Sequence, residues 1–300
     1  MKMIERRSFL AGAGVLLLCA PDLMAAGREQ PAPITVFSAP LELIGDWEGS
    51  PPSAAAAVIS RMREVSLSGL RLLSDRQPER IRVDNHSSGP PAIWLHDNPA
   101  QTAWIIVDIG ARAWCQLAYQ FGHELGHVLC NSWGPEAKPA PPCQWLEEAV
   151  VEAFSIRGLA LLADSWERDP PFPGDASYSK AIRDYRRDLV EKYEKASWQA
   201  SSNDFAAWFR ANRDAVEHTK GDAAVMTLLI EEEADTACVE DLGAVNHWPG
   251  RSAIPLEEYL SLWQKSCTEI GAAGHLPMRL RNLLQPARSK RARKSLSNVV

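Results

Sequence analysis

Apolar residues recur at helical spacing through most of this chain, and they run together in only a few short stretches. Ala54 to Val65 reads as a helix. The runs Arg80–Val83, Ala92–Leu95 and Trp104–Asp108 read as strands, with an earlier candidate strand at Ile34–Phe37. Ala111 to about Cys130 is a proline-free, helix-compatible run. The segment Gly134–Pro142 is rich in proline and continues no helix. A second, largely apolar helix then begins near Trp145. Asp169–Asp175 marks a break, beyond which the pattern is helical: Tyr178–Lys195, Asp204–His218, Gly221–Glu232 and Pro255–Ile270. No internal repeat is evident. The order predicts an α+β fold: a first lobe over 27–168 with a small sheet and two long helices, then an all-helical C-terminal lobe over 175–285, with a cleft between them.

Composition fits that picture. At 300 residues, 46% hydrophobic and 23% charged, the chain can bury a sizeable core. Residues 1–26 stand apart: Arg6-Arg7 followed by Phe9-Leu10, the apolar stretch Ala11–Ala20, then Met24-Ala25-Ala26. This is the pattern of a twin-arginine export signal, and its apolar run is short for a membrane span. The expected destination is the periplasm or the extracellular space, and no other segment approaches a transmembrane helix. The formal charge of −6 is uneven. Arg288, Lys290, Arg291, Arg293 and Lys294 give residues 286–300 a charge of +5, expected in a solvated basic tail. With +1 in the leader, the body carries −12, which argues against nucleic acid as the main ligand.

The chemistry sits at His123-Glu124-Leu125-Gly126-His127. Residues four apart share a helix face, so both imidazoles can reach one cation. Glu124 then lies beside that cation, where a general base for water belongs. Twenty residues on, the second helix reads Trp145-Leu146-Glu147-Glu148-Ala149-Val150-Val151-Glu152. Carboxylates in so apolar a segment need partners. One of them would complete three protein ligands and leave a fourth position open, as in a catalytic zinc site.

These two motifs resemble those of the gluzincin zinc metallopeptidases, whose aminopeptidase branch has a second motif similar to Trp-Leu-x-Glu-Gly-x-Ala. The resemblance covers about thirty residues, with Ala149 standing where many relatives carry glycine. It implies a zincin-like lobe with a small twisted sheet, whose edge strand receives an extended peptide. It implies zinc held by His123, His127 and Glu148, with Glu124 as general base. Glu152, one turn after the ligand glutamate, would orient a ligand histidine, and Glu147 would either stand behind a ligand or be exposed. His218-Thr219-Lys220-Gly221-Asp222-Ala223 resembles the segment that carries the oxyanion-stabilising tyrosine in aminopeptidases, with His218 in its place. Tyr178 and Tyr185 are fallbacks for that role. No segment resembles the Gly-Ala-Met-Glu-Asn run that holds the substrate amine in that branch.

Without Cys19 five cysteines remain, and in an oxidising compartment some should pair. Cys130 with Cys143 and Cys238 with Cys267 are the candidate pairs. Eleven tryptophans either build core and cleft walls or form a platform for sugar rings, with Trp133 and Trp145 expected nearest the cleft. The expected function is therefore an exported zinc metallohydrolase acting on peptide or protein substrates. A catalytically silent binding protein on the same fold, or a cell-envelope glycan-binding module, are the alternatives.

Overall fold

Two of the four strands have alternating burial, and that alternation decides which side of the sheet the helices cover. The computed structural model describes residues 34–285, apart from 48, 75, 88, 219, 220 and 252. The predicted leader, its Cys19 and the basic tail lie outside the described residues. The sheet contains β1 (Leu41–Gly45), β2 (Arg80–Asn85), β3 (Ala92–Ile93) and β4 (Thr102–Val107) in the order β1-β2-β4-β3. β1, β2 and β4 are parallel, and β3 is an antiparallel edge strand with Ala92 opposite Ile106 and Ile93 opposite Ile105. Ile81, Val83, Ala103, Ile105 and Val107 alternate into the core, as the period of two requires. The first predicted strand is displaced. Val36–Ser38 is a turn closed by hydrogen bonds to Thr35 O, and the strand starts only at Leu41.

Helix α1 (Pro52–Leu67) crosses from β1 to β2 and buries Ala55, Val58, Ile59 and Met62, one stripe at helical spacing. Helix α2 (Trp114–Leu129) carries the first motif. It is tied to the end of β4 by paired amide contacts: Gln120 accepts from Asp108 N at 2.9 Å and donates to Asp108 O at 2.9 Å. Asn131, with φ +61°, ends the helical path just after Cys130. Helix α3 (Gln144–Arg168) carries the second motif and packs against α1 and α2.

Beyond the break, α4 (Ser179–Ala196) and α6 (Val225–Ala234) pack back on α3, with α5 (Phe205–Glu217) beside them. The last helices are α7 (Thr236–Glu240), α8 (Leu256–Ile270) and α9 (His275–Leu283). The described residues form one compact unit, so the two predicted lobes share a core through α3. That helix is covered on all sides, which explains its weak amphipathic pattern in sequence. Among the described residues no helix is long and apolar enough to cross a membrane. The fold is mixed α+β with a small four-stranded sheet.

The metal-motif helices approach closely because α2 has glycine at 122 and 126. A Cβ on Gly126 would lie 2.7 Å from Val151 Cβ and 3.1 Å from Val151 Cα. A Cβ on Gly122 would lie 2.5 Å from Met62 Cε and 2.9 Å from Ser155 Oγ. Val151 cannot retreat at its Cα without moving α3. Gly126→Ala is therefore expected to destabilise the protein by about 1–3 kcal/mol, the usual cost of overpacking. Denaturant unfolding measures it, and an unchanged midpoint would contradict this packing.

Candidate metal centre

His123 and His127 project from one face of α2 with their rings 5.1 Å apart, and α3 brings Glu148 against both. Glu148 Oε2 lies 3.5 Å from His123 Nε2 and 3.8 Å from His127 Nε2. One ligand atom from each of the three residues falls within 4.8 Å of the others, so the group could hold a metal ion. The separations carry chemical information. They exceed the ~2.7–3.2 Å of N–H···O hydrogen bonds. Ligands at about 2.0–2.2 Å around a tetrahedral ion stand roughly 3.3–3.6 Å apart. The Glu148–His123 separation falls in that range and the Glu148–His127 separation is slightly wider, as suits a group able to close on one ion. Two imidazoles with one carboxylate fit zinc better than magnesium or calcium, which take oxygen ligands.

The outer ring nitrogens are equally well held. His123 Nδ1–H donates to Glu152 Oε2 at 2.8 Å, and His127 Nδ1–H donates to Glu147 Oε1 at 2.8 Å. Each carboxylate fixes the tautomer that turns Nε2 towards Glu148. Glu152 is itself held by Tyr119, whose hydroxyl donates at 2.5 Å, and by Tyr193 of α4. Glu147 accepts from Asn246 Nδ2 at 2.6 Å. Asn246 also donates to Ser132 Oγ and Cys130 O, while Arg251 donates to Ser132 Oγ at 2.7 Å. Segments more than ninety residues downstream thus fasten the first motif.

For Glu147 the sequence left two places open, behind a ligand or exposed, and the structure takes the first. It is 3% exposed and clamps His127, so its removal is not expected to be silent. A helix turns about 100° per residue, so Glu147 indeed points away from Glu148. It points instead at the outer nitrogen of the second imidazole. Tyr119 was missed, although its place one turn before His123 on the same helix face was a usable signal. Asn246, Arg251 and Tyr193 left no such signal.

Two cavities open on the metal group, of about 300 and 230 Å³, and share Pro90, Pro91, His123, Glu124 and Glu148. Tyr119, Lys192, Tyr193 and Asp222 line the first, while Ile93, Leu95, His127 and Ser132 line the second. Glu124 is 2% exposed and borders both. The edge strand β3 therefore runs along the second cavity.

Other expectations resolve differently. His218 ends α5 as an exposed residue, with Nδ1 donating to Asp214 O at 2.7 Å, and it lines neither cavity. Tyr178 receives Cys115 Sγ at 3.4 Å, and Tyr185 packs edge-on against Tyr119; neither lines a cavity. Cys130, Cys143, Cys238 and Cys267 are free buried thiols, so neither expected disulfide is present. Cys143 is turned to Ile254 O at 3.2 Å, away from any thiol partner. The loop it borders is held by hydrogen bonds and packing instead. Trp133 and Trp145 line neither cavity, and Trp145, 3% exposed, packs against Phe209. Seven of the eleven tryptophans are buried: Trp47, Trp114, Trp145, Trp166, Trp198, Trp248 and Trp263. They belong to the core.

The electrostatics have a direct consequence for metal loading. Burial opposes charging His123, but the Glu148 and Glu152 carboxylates outweigh it and raise its pKa to about 9. Burial likewise opposes charge on His127, and Glu147 and Glu148 push it well above its ordinary value. Burial disfavours ionised Glu148, but the two imidazoles hold it far below the usual carboxylate range. In the metal-free protein the raised histidine pKa stabilises the fold fully below about 6.5. That contribution is lost as pH rises through about 9. A metal needs both imidazoles neutral, so it competes with these protons. Zinc affinity is expected to climb between pH 6.5 and about 9, by up to roughly tenfold per pH unit for each proton displaced. Chelator competition across that range measures it, and a flat profile would contradict the linkage.

Compared with protein-family models, with curated proteins and with solved structures, the chain has no match in any of the three.

Proposed function

We propose that this chain is an exported zinc metallohydrolase of the gluzincin type, most specifically a peptidase. One observation carries the reading: two imidazole Nε2 atoms and Glu148 Oε2 stand near co-ligand spacing, with buried Glu124 bordering the same cavities. Residues His123, His127 and Glu148 would hold the ion, leaving a position open to the cavities. When bound, zinc supplies Lewis acidity, which lowers the pKa of a coordinated water towards about 7 and polarises a carbonyl.

The chain's own residues do the rest. Glu124 takes the proton from the attacking water and passes it to the leaving amine. Glu152 and Glu147 hold the imidazoles in register and increase their basicity through the outer nitrogens. Tyr119 and Asn246 fix those two carboxylates in turn. Ile93 and Leu95, on and just beyond the antiparallel edge strand, wall the second cavity, where an extended peptide can lie alongside β3. The arrangement of sheet, edge strand and two motif helices supports a zincin-like fold. The twin-arginine pattern of residues 1–26 supports export.

The deciding experiment measures zinc by elemental analysis on purified protein, together with cleavage of an unbiased peptide library. About one zinc per chain and zinc-dependent cleavage are expected. Protein that binds zinc but cleaves no peptide would replace the peptidase by a binding protein on the same scaffold.

A further inference from the structure

The cavity on the His123 side does not end at the metal group. Asp222 is part of its lining and also borders a third hollow of about 350 Å³, lined by Trp208, Asn212, Ala215, Val216 and Ala223. The position of Asp222 is set by its neighbour. Gly221 has φ +80°, and a Cβ there would lie 2.2 Å from Trp145 O. Only glycine lets the turn press against the start of α3, three residues before Glu148. Asp222 opens the 3-10 turn that follows, held in a fixed place relative to the metal group.

Among the described residues no hydrogen-bond or ion-pair partner meets the Asp222 carboxylate. Lys192, the lysine on this wall, is turned to Tyr193, with Nζ 2.9 Å from the phenol oxygen. Glu148 and Glu152 already have imidazole partners. Asp222 is therefore a half-buried carboxylate at the rim of a mainly apolar hollow, without a counter-charge among the described residues. A substrate group that satisfies it must bring a positive charge and apolar bulk together. The indole of Trp208 adds a surface that a cation or an alkyl stem can cover.

Resting on the hydrolase reading, we propose that Asp222 is a specificity-determining residue that takes a positively charged group of the substrate at a subsite between the metal group and the Trp208 hollow. That charge is either the free α-amine of a peptide or the head of a basic side chain, both chemically the same to a carboxylate. The apolar hollow takes the attached stem.

The test uses zinc-loaded Glu124→Gln protein, so that probes are not consumed, and reads binding by calorimetry or ligand-observed NMR. Three probes separate the sources: Nα-acetyl-norleucine amide is neutral, norleucine amide has a free α-amine, and Nα-acetyl-arginine amide has a guanidinium. At least one charged probe should bind about tenfold tighter than the neutral one, a typical gain for a charge-assisted hydrogen bond. Asp222→Asn in the same background should bring that probe down to the neutral level and leave the neutral probe unchanged. If neither charged probe exceeds the neutral one, the proposal is overturned. It is equally overturned if the preference survives Asp222→Asn, because the charge is then read elsewhere, for example by an amine on zinc. Charge preference that depends on Asp222, in a wild-type protein that cleaves no peptide, would uphold this subsite and reject the hydrolase reading.

Discussion

Glu124→Gln is expected to retain zinc and to lose hydrolysis by about 10²–10⁴-fold, the usual worth of general base catalysis. The substitution keeps size and hydrogen-bonding capacity and removes only the ability to accept a proton. Glu124 is 2% exposed and borders both cavities beside His123 and Glu148, yet the three ligand positions are filled by other residues. Metal content should therefore hold while turnover collapses. Elemental analysis and peptide-cleavage rates on the same preparation separate the two effects. Turnover equal to wild type would assign the base elsewhere, and loss of zinc would make Glu124 a ligand.

A second set of substitutions ranks the histidines and the carboxylates of α3. His123→Ala, His127→Ala and Glu148→Ala each remove one of the three proposed ligands, and zinc should be lost to competing chelators. Glu152→Ala and Glu147→Ala should each cost roughly 10–100-fold in metal affinity or activity, the range for partners of a ligand histidine. Sequence alone suggests that Glu147→Ala is nearly silent. The 2.8 Å contact to His127 and the 2.6 Å contact from Asn246 make it comparable with Glu152. Zinc titration of the five variants tests the ranking. A silent Glu147→Ala would show that the His127 clamp contributes nothing to binding.

Much of the site was legible because its geometry is local. Histidines four apart on one helix must share a face whatever the rest of the chain does, and α2 delivers them to one side of Glu148. The same holds for Glu148 and Glu152, one turn apart on α3. Strand positions 80–83, 92–93 and 104–107 were readable from runs of apolar and β-branched residues. Ile34–Phe37 misled, since its apolar residues close a turn rather than pair with a neighbour.

Residues whose roles depend on a distant partner could not be read this way. Glu147 looks like any helical glutamate until α2 is packed on α3 and the loop bearing Asn246 is folded over it. His218 matched a motif, but the end of α5 leaves it in solvent on its own helix carbonyl. The four cysteines expected to pair gave the right residue types, but pairing depends on Cα separation and side-chain direction, and packing left each as a separate buried thiol. Asp222 became a candidate contact only when Gly221 was seen against Trp145 O. The sequence by itself determined the helical metal motif, the helices that carry it and the chemistry those residue types allow, because each follows from spacing along one element. Tertiary structure alone decided which carboxylate backs which imidazole, what walls the cavities and which of them Asp222 borders, because those contacts join segments that share no local geometry.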